Sequence, residues 1–189
     1  METLAPWSEP ELMTAEELLR LPDDQWRYEL VEGRLVRTSP TGQEHGRIVM
    51  RLLLTVGRFV EDRRLGEVFP AETGFWISPE GSPDTVLAPD LAFVRQGRET
   101  ETAGQGYPRL APDLVVEVAS PSQGRVEMGA KAERWSRAGV RLVWVVFPET
   151  RTVELWRGGR VVRTVVAGEE LSGEEILPGF VLPVTELFP

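Results

Sequence analysis

The segment that most constrains this chain is Leu114–Val118, a β-branched strand run with one acid, Glu117, inside it. An ionised carboxylate in such a strand is costly unless a positive group meets it. Lys131, in the helical segment that follows, offers that charge. It is the only lysine among 21 basic residues, the rest being arginine. An amine differs from a guanidinium in being compact and able to shift its pKa when buried. Glu117 and Lys131 are therefore the first candidates for chemistry.

The helical pattern brings the two closer. At about 100° per residue, Met128, Ala132, Trp135 and Ala138 share one arc of a helix over 125–138, and Lys131 falls inside it. The lysine is expected to face the sheet. The alternative is a lysine snorkelling from the edge of an apolar face.

A chain of 189 residues fits one domain with a sizeable core, here 1–189. Hydrophobic content of 41% with six tryptophans argues against disorder. The longest apolar run, Leu142–Phe147, is too short to cross a bilayer. The first residues lack a basic and then apolar leader pattern, so no signal peptide is expected. Absence of cysteine removes disulfides and thiolate metal sites and agrees with a cytoplasmic location. A net charge of −9 argues against general nucleic-acid binding, so contact with phosphate has to be local, through a patch or a metal.

Thr14 and Glu17 form a capping box for a helix over 14–21, with Met13 stapled onto Leu18 and Pro22, Asp23 and Asp24 ending it. Tyr28–Val31 and Leu35–Arg37 read as a hairpin turning at Glu32-Gly33. Glu29 stands among apolar neighbours there, either as a site acid or as a solvent-facing strand acid. After a loop at 39–42, an apolar stripe from Ile48 to Val60 predicts a helix over 44–64, stopped by Gly66. Arg47, Arg51 and Arg58 lie on its wet face. His45, the only histidine, opens that helix, where a cap or packing role is the ordinary expectation and catalysis the less usual one.

Three strands follow: 67–69 continuing toward Ile77, 88–94, and 114–118, with a turn-rich link at 79–85 and a polar loop at 98–109. Gly139 closes the second helix. Leu142–Phe147 is apolar on both faces, as in a central strand covered on both sides. A hairpin with one wet face is expected over 151–166, and the proline-bearing end from Ile176 is expected to wrap the surface.

From 44 to 147 the order is helix, three strands, helix, strand, with Asp90 and Glu117 on the second and third strands. Paired strands lie about 4.8 Å apart, so these carboxylates can share one Mg²⁺, completed by water and phosphate oxygens. A lysine beside that ion can orient or activate water and stabilise phosphate charge.

These features resemble the putative restriction endonuclease family of the PD-(D/E)XK nuclease superfamily. The resemblance covers nearly the whole chain and is carried by Tyr28–Gly33, Ser39–Gly42, Gly66–Phe69 with Thr73–Phe75, Ala88–Val94, Pro112–Val118, Ser120–Ser122, Lys131, Gly139-Val140 and Leu177–Phe180. It implies an α/β (α+β) fold: a restriction-endonuclease-like αβββαβ core over about 44–147, a mixed central sheet, and extra hairpins in 1–42 and 151–189. It further implies Asp90 and Glu117 as metal ligands, Lys131 as the catalytic lysine and Glu29 as an accessory acid. A Val118 backbone carbonyl completes the metal shell in similar nucleases. The superfamily's lysine normally stands two residues after the strand acid; that position here is Ala119, so Lys131 has to reach in from the helix.

The expected activity is Mg²⁺-dependent phosphodiester hydrolysis, in DNA, with Mn²⁺ able to substitute. A small acidic domain needs two sites to cut both strands of a duplex, so a homodimer is expected. The alternative is a nuclease fold kept for binding DNA or a protein partner without catalysis, which the charge and Ala119 favour. A third reading pairs Glu29 and Glu117 as glycosidase-type acids; that chemistry needs no metal.

Overall fold

The computed structural model describes residues 12–22, 26–38, 40–98 and 106–188. Asp23, Asp24, Ser39, the 99–105 part of the polar loop and Pro189 lie outside them. Helix α1 (Ala15–Leu19) carries the expected capping box, with Leu18 buried. Strands β1 (Arg27–Val31) and β2 (Arg34–Thr38) pair antiparallel. Their turn has positive φ at Glu32 and Gly33, 51° and 74°, which matches the right-handed strand twist.

Helix α2 (Gln43–Arg63) buries Ile48, Leu52, Val56 and Val60 as the stripe requires. It ends at Arg64 as expected, but Gly66 is not what stops it. Arg64 adopts the left-handed conformation, and its N–H bonds the Val60 and Glu61 carbonyls. Gly66 instead opens β3 (Gly66–Pro70), where a Cβ would lie 2.0 Å from the Val94 carbonyl oxygen. A glycine is needed there because two backbones touch.

The chain then leaves the sheet rather than continuing to Ile77. It forms β4 (Phe75–Trp76) and β5 (Val86–Leu87), which join the first hairpin in a four-stranded sheet, β2-β1-β5-β4. The 88–94 segment likewise becomes strand only from Leu91, as β6 (Leu91–Arg95). Pro89 has no N–H to give a ladder, so 88–90 bridge the two sheets.

Strand β7 (Leu114–Val118), helix α3 (Arg125–Arg137) and strand β8 (Leu142–Phe147) follow. Strands β9 (Thr152–Arg157) and β10 (Arg160–Val166) extend the sheet, whose order is β10-β9-β8-β7-β6-β3. β7 and β8 are parallel and the other pairs antiparallel, so the sheet is mixed. Leaving aside β4 and β5, the order α2, β3, β6, β7, α3, β8 is the αβββαβ core. Val116 and Val118 pack toward α2, while Val115 and Ala119 pack toward Met128, Ala132 and Trp135 of α3. By strand alternation Glu117 faces α3.

Two expectations about the C-terminal part are corrected. The hairpin's inner strand β9 has no wet face: Glu154 is buried and ion-paired with Arg125, and β10, at the sheet edge, takes the exposure. The end of the chain does not wrap the surface. After β11 (Glu170–Ser172) and β12 (Val181–Pro183), residues Leu177, Phe180, Val184 and Leu187 sit in the core beneath α2, with Phe180 stacked edge-on against Phe59. No helix among the described residues is long and apolar enough to cross a membrane.

Candidate active site

Asp90 stands at the mouth of β6. The β6–β7 register pairs Leu91 with Val116, so one step further sets Asp90 opposite Glu117. In place of a ladder carbonyl, the Asp90 carboxylate closes the strand end. Its Oδ2 accepts the Val118 N–H at 2.8 Å and a hydrogen bond from His45 Nε2 at 3.1 Å. Asp90 thus precedes its strand instead of lying within it.

Glu117 projects under α3 with its side chain 5% exposed. Its Oε1 accepts the Trp135 indole N–H at 2.8 Å, and its Oε2 lies 3.5 Å from Lys131 Nζ. Lys131 is where the helical arc placed it: Met128, Ala132 and Trp135 are buried and the lysine side chain is 23% exposed. Ala119, in the usual lysine position, is a buried apolar residue packed toward α3.

The Glu117 carboxyl is pushed up to about 7, chiefly by burial, with Lys131 pulling it down, Asp90 and Glu29 pushing it up and the Trp135 hydrogen bond lowering it. Lys131 is held above the usual ammonium range, chiefly by Glu117 and against the effect of its own burial. The ammonium is the firmer end of this pair. It keeps its proton at neutrality, while Glu117 exchanges one there.

Glu29 on β1 is buried rather than solvent-facing, and its Oε1 accepts the Ala88 N–H at 3.0 Å. That bond ties β1 to the bridge carrying Asp90. Glu29, His45, Asp90, Glu117, Val118 and Lys131 all line one cavity of about 480 Å³. Four carboxyl groups line that cavity, Glu29, Asp90, Glu117 and Glu127, against the Lys131 ammonium and the Arg27 guanidinium, so acidic groups are in excess. Among the described residues no three His, Cys, Asp or Glu side chains are grouped tightly enough to form a ready metal cage. Two carboxylates with open positions for water and phosphate oxygens are nonetheless the hard-oxygen donor set that suits magnesium.

Two neighbours gain a role that sequence patterning did not give them. Trp135 belongs to the apolar arc, but its N–H is spent on Glu117. The available signal was that a buried indole needs an acceptor and a buried strand acid needs a donor. His45 neither caps α2 nor merely packs; its ring bonds Asp90.

A mixed sheet in the αβββαβ order, with paired strand-end acids and a lysine on one cavity, defines a restriction-endonuclease-like fold. A family model described as Uma2, putative restriction endonuclease, matches residues 15–185. The chain belongs to that family. Among solved structures, a putative nuclease of the DUF820 group from Anabaena variabilis ATCC 29413 matches with a TM-score of 0.76 at 20% identity, over 93% of this chain and 97% of that one. No curated protein matches.

Proposed function

We infer that this protein is a Mg²⁺-dependent nuclease that hydrolyses phosphodiester bonds in DNA. The observation that carries the reading is the convergence of Asp90, Glu117 and Lys131, from a bridge, a strand and a helix, on one cavity. Asp90 and Glu117 would hold the ion, with the Val118 carbonyl as a third oxygen. When bound, the ion supplies charge neutralisation at the phosphate and a more acidic water.

The protein's own groups do the rest. Without a metal, Lys131 is charged and paired with Glu117. Once the acids are neutralised, Nζ releases its proton more easily and can take one from the attacking water. In its charged form Nζ stabilises negative charge building on the phosphate oxygens. Glu29 serves as an accessory acid, fixing the bridge that presents Asp90. A homodimer would cut both strands of a duplex; a monomer by light scattering at working concentration would remove that part. The absence of cysteine fits action in the cytoplasm.

A net charge of −9 favours a second reading, a nuclease fold that binds DNA or a protein partner without cutting. The deciding experiment incubates supercoiled plasmid with the protein in Mg²⁺, Mn²⁺ or EDTA, beside Lys131→Arg. The nuclease reading expects cleavage only with metal. It also expects loss of cleavage in Lys131→Arg with Mn²⁺ binding retained, since a planar guanidinium keeps the charge but gives up no proton. Full activity in that variant would reduce Lys131 to a structural counter-charge.

A further inference from the structure

His45 sits in the first turn of α2 and is 7% exposed. A buried histidine at a helix start caps, packs, or holds another side chain. Its ring makes one hydrogen bond among the described residues, Nε2 to Asp90 Oδ2, while Nδ1 is buried without a partner. A capping ring would accept a free helix N–H, and Nδ1 accepts none. A packing residue would serve better as leucine or phenylalanine, which bury no unpaired nitrogen.

What remains is Asp90. An ionised carboxylate only accepts, so the hydrogen shared with Oδ2 is the ring's, at Nε2. With the Val118 N–H on the same oxygen, Oδ2 has two donors, one from the β7 backbone and one from α2. Oδ1 accepts no hydrogen bond among the described residues, and the Asp90 side chain is 14% exposed at the cavity. At the same cavity Trp135 of α3 gives its ring N–H to Glu117.

We propose that His45 is a positioning residue whose Nε2–H locks Oδ2 of Asp90 and leaves Oδ1 as the site's free acceptor, aimed at a divalent cation. This rests on Asp90 being a metal ligand. Asp90 and Glu117 then each have one aromatic ring N–H donor supplied by a helix, His45 of α2 and Trp135 of α3.

The test has two arms. With a single histidine, a long-range ¹H–¹⁵N spectrum of the uniformly labelled, metal-free protein shows one ring, expected as the Nε2–H tautomer; a predominant Nδ1–H tautomer overturns the proposal. Mn²⁺ titration calorimetry then compares the unaltered protein with His45→Leu and His45→Gln. Leucine should weaken binding by about tenfold or more. Glutamine, whose amide nitrogen reaches the place of Nε2, should stay close to the unaltered affinity, which a purely packing role would not produce. Equal Mn²⁺ affinity in all three proteins overturns the proposal alone. No Mn²⁺ binding by the unaltered protein overturns the metal reading and this proposal with it.

Discussion

Glu117→Gln should stabilise the metal-free protein, increasingly so as pH rises. Glu117 holds its proton more tightly folded than unfolded, because burial lifts its carboxyl from 4.5 to about 7. Between those values the folded state binds the extra proton, so stability falls as pH climbs through the window. At about 1.4 kcal/mol per pH unit, the full loss is about 3 kcal/mol. Lys131 adds no slope there: its raised pKa means its stabilisation is present below the ordinary lysine value and lost only at higher pH. Glutamine has no proton to lose, and its Oε1 still accepts from Trp135. Its amide N–H groups face the Lys131 ammonium, which is exposed enough to turn aside. Urea unfolding followed by tryptophan fluorescence from pH 4 to 9, in EDTA, gives both stabilities. Other titrating groups are common to the two proteins, so their difference reports Glu117 together with the change its removal makes at Lys131. The variant's advantage should grow by about 3 kcal/mol from the acid to the alkaline end. A difference that is flat across pH, or that shrinks, would refute the burial argument.

Trp135→Phe removes the indole N–H from Glu117. It should cost roughly 1–3 kcal/mol and move the pH window of the same urea series to higher pH. Gly66→Ala should cost on the order of 3 kcal/mol or prevent folding, because a Cβ there meets the Val94 carbonyl and the φ of +149° disfavours a side chain. Gly57→Ala, in α2 with open space around it, should instead raise stability by roughly 0.5–1 kcal/mol; thermal melts of the pair check both signs.

Much of the core was legible because its elements carry their own periodicity. The α2 stripe, the β1–β2 turn at Glu32-Gly33, and the Glu117–Lys131 pair each follow from local pattern plus the cost of burying charge. What stayed hidden depends on contacts between distant segments. Gly66 looked like a helix stop, yet its requirement comes from a neighbouring strand. Asp90 looked like a strand residue, whereas its carboxylate replaces the ladder by taking the Val118 N–H. The proline-bearing C-terminal segment gave no sign that it would supply core beneath α2. The pairing of His45 with Asp90 joins positions 45 residues apart, and no local signal marks it.

On the proposed function, Asp90 and Glu117 share one divalent ion beside Lys131. Anomalous diffraction from crystals soaked in Mn²⁺ tests it most directly. One manganese peak is expected, ligated by a carboxylate oxygen of each acid and absent in crystals of Asp90→Asn. A peak elsewhere with both carboxylates unliganded, or no peak at saturating Mn²⁺, would contradict it.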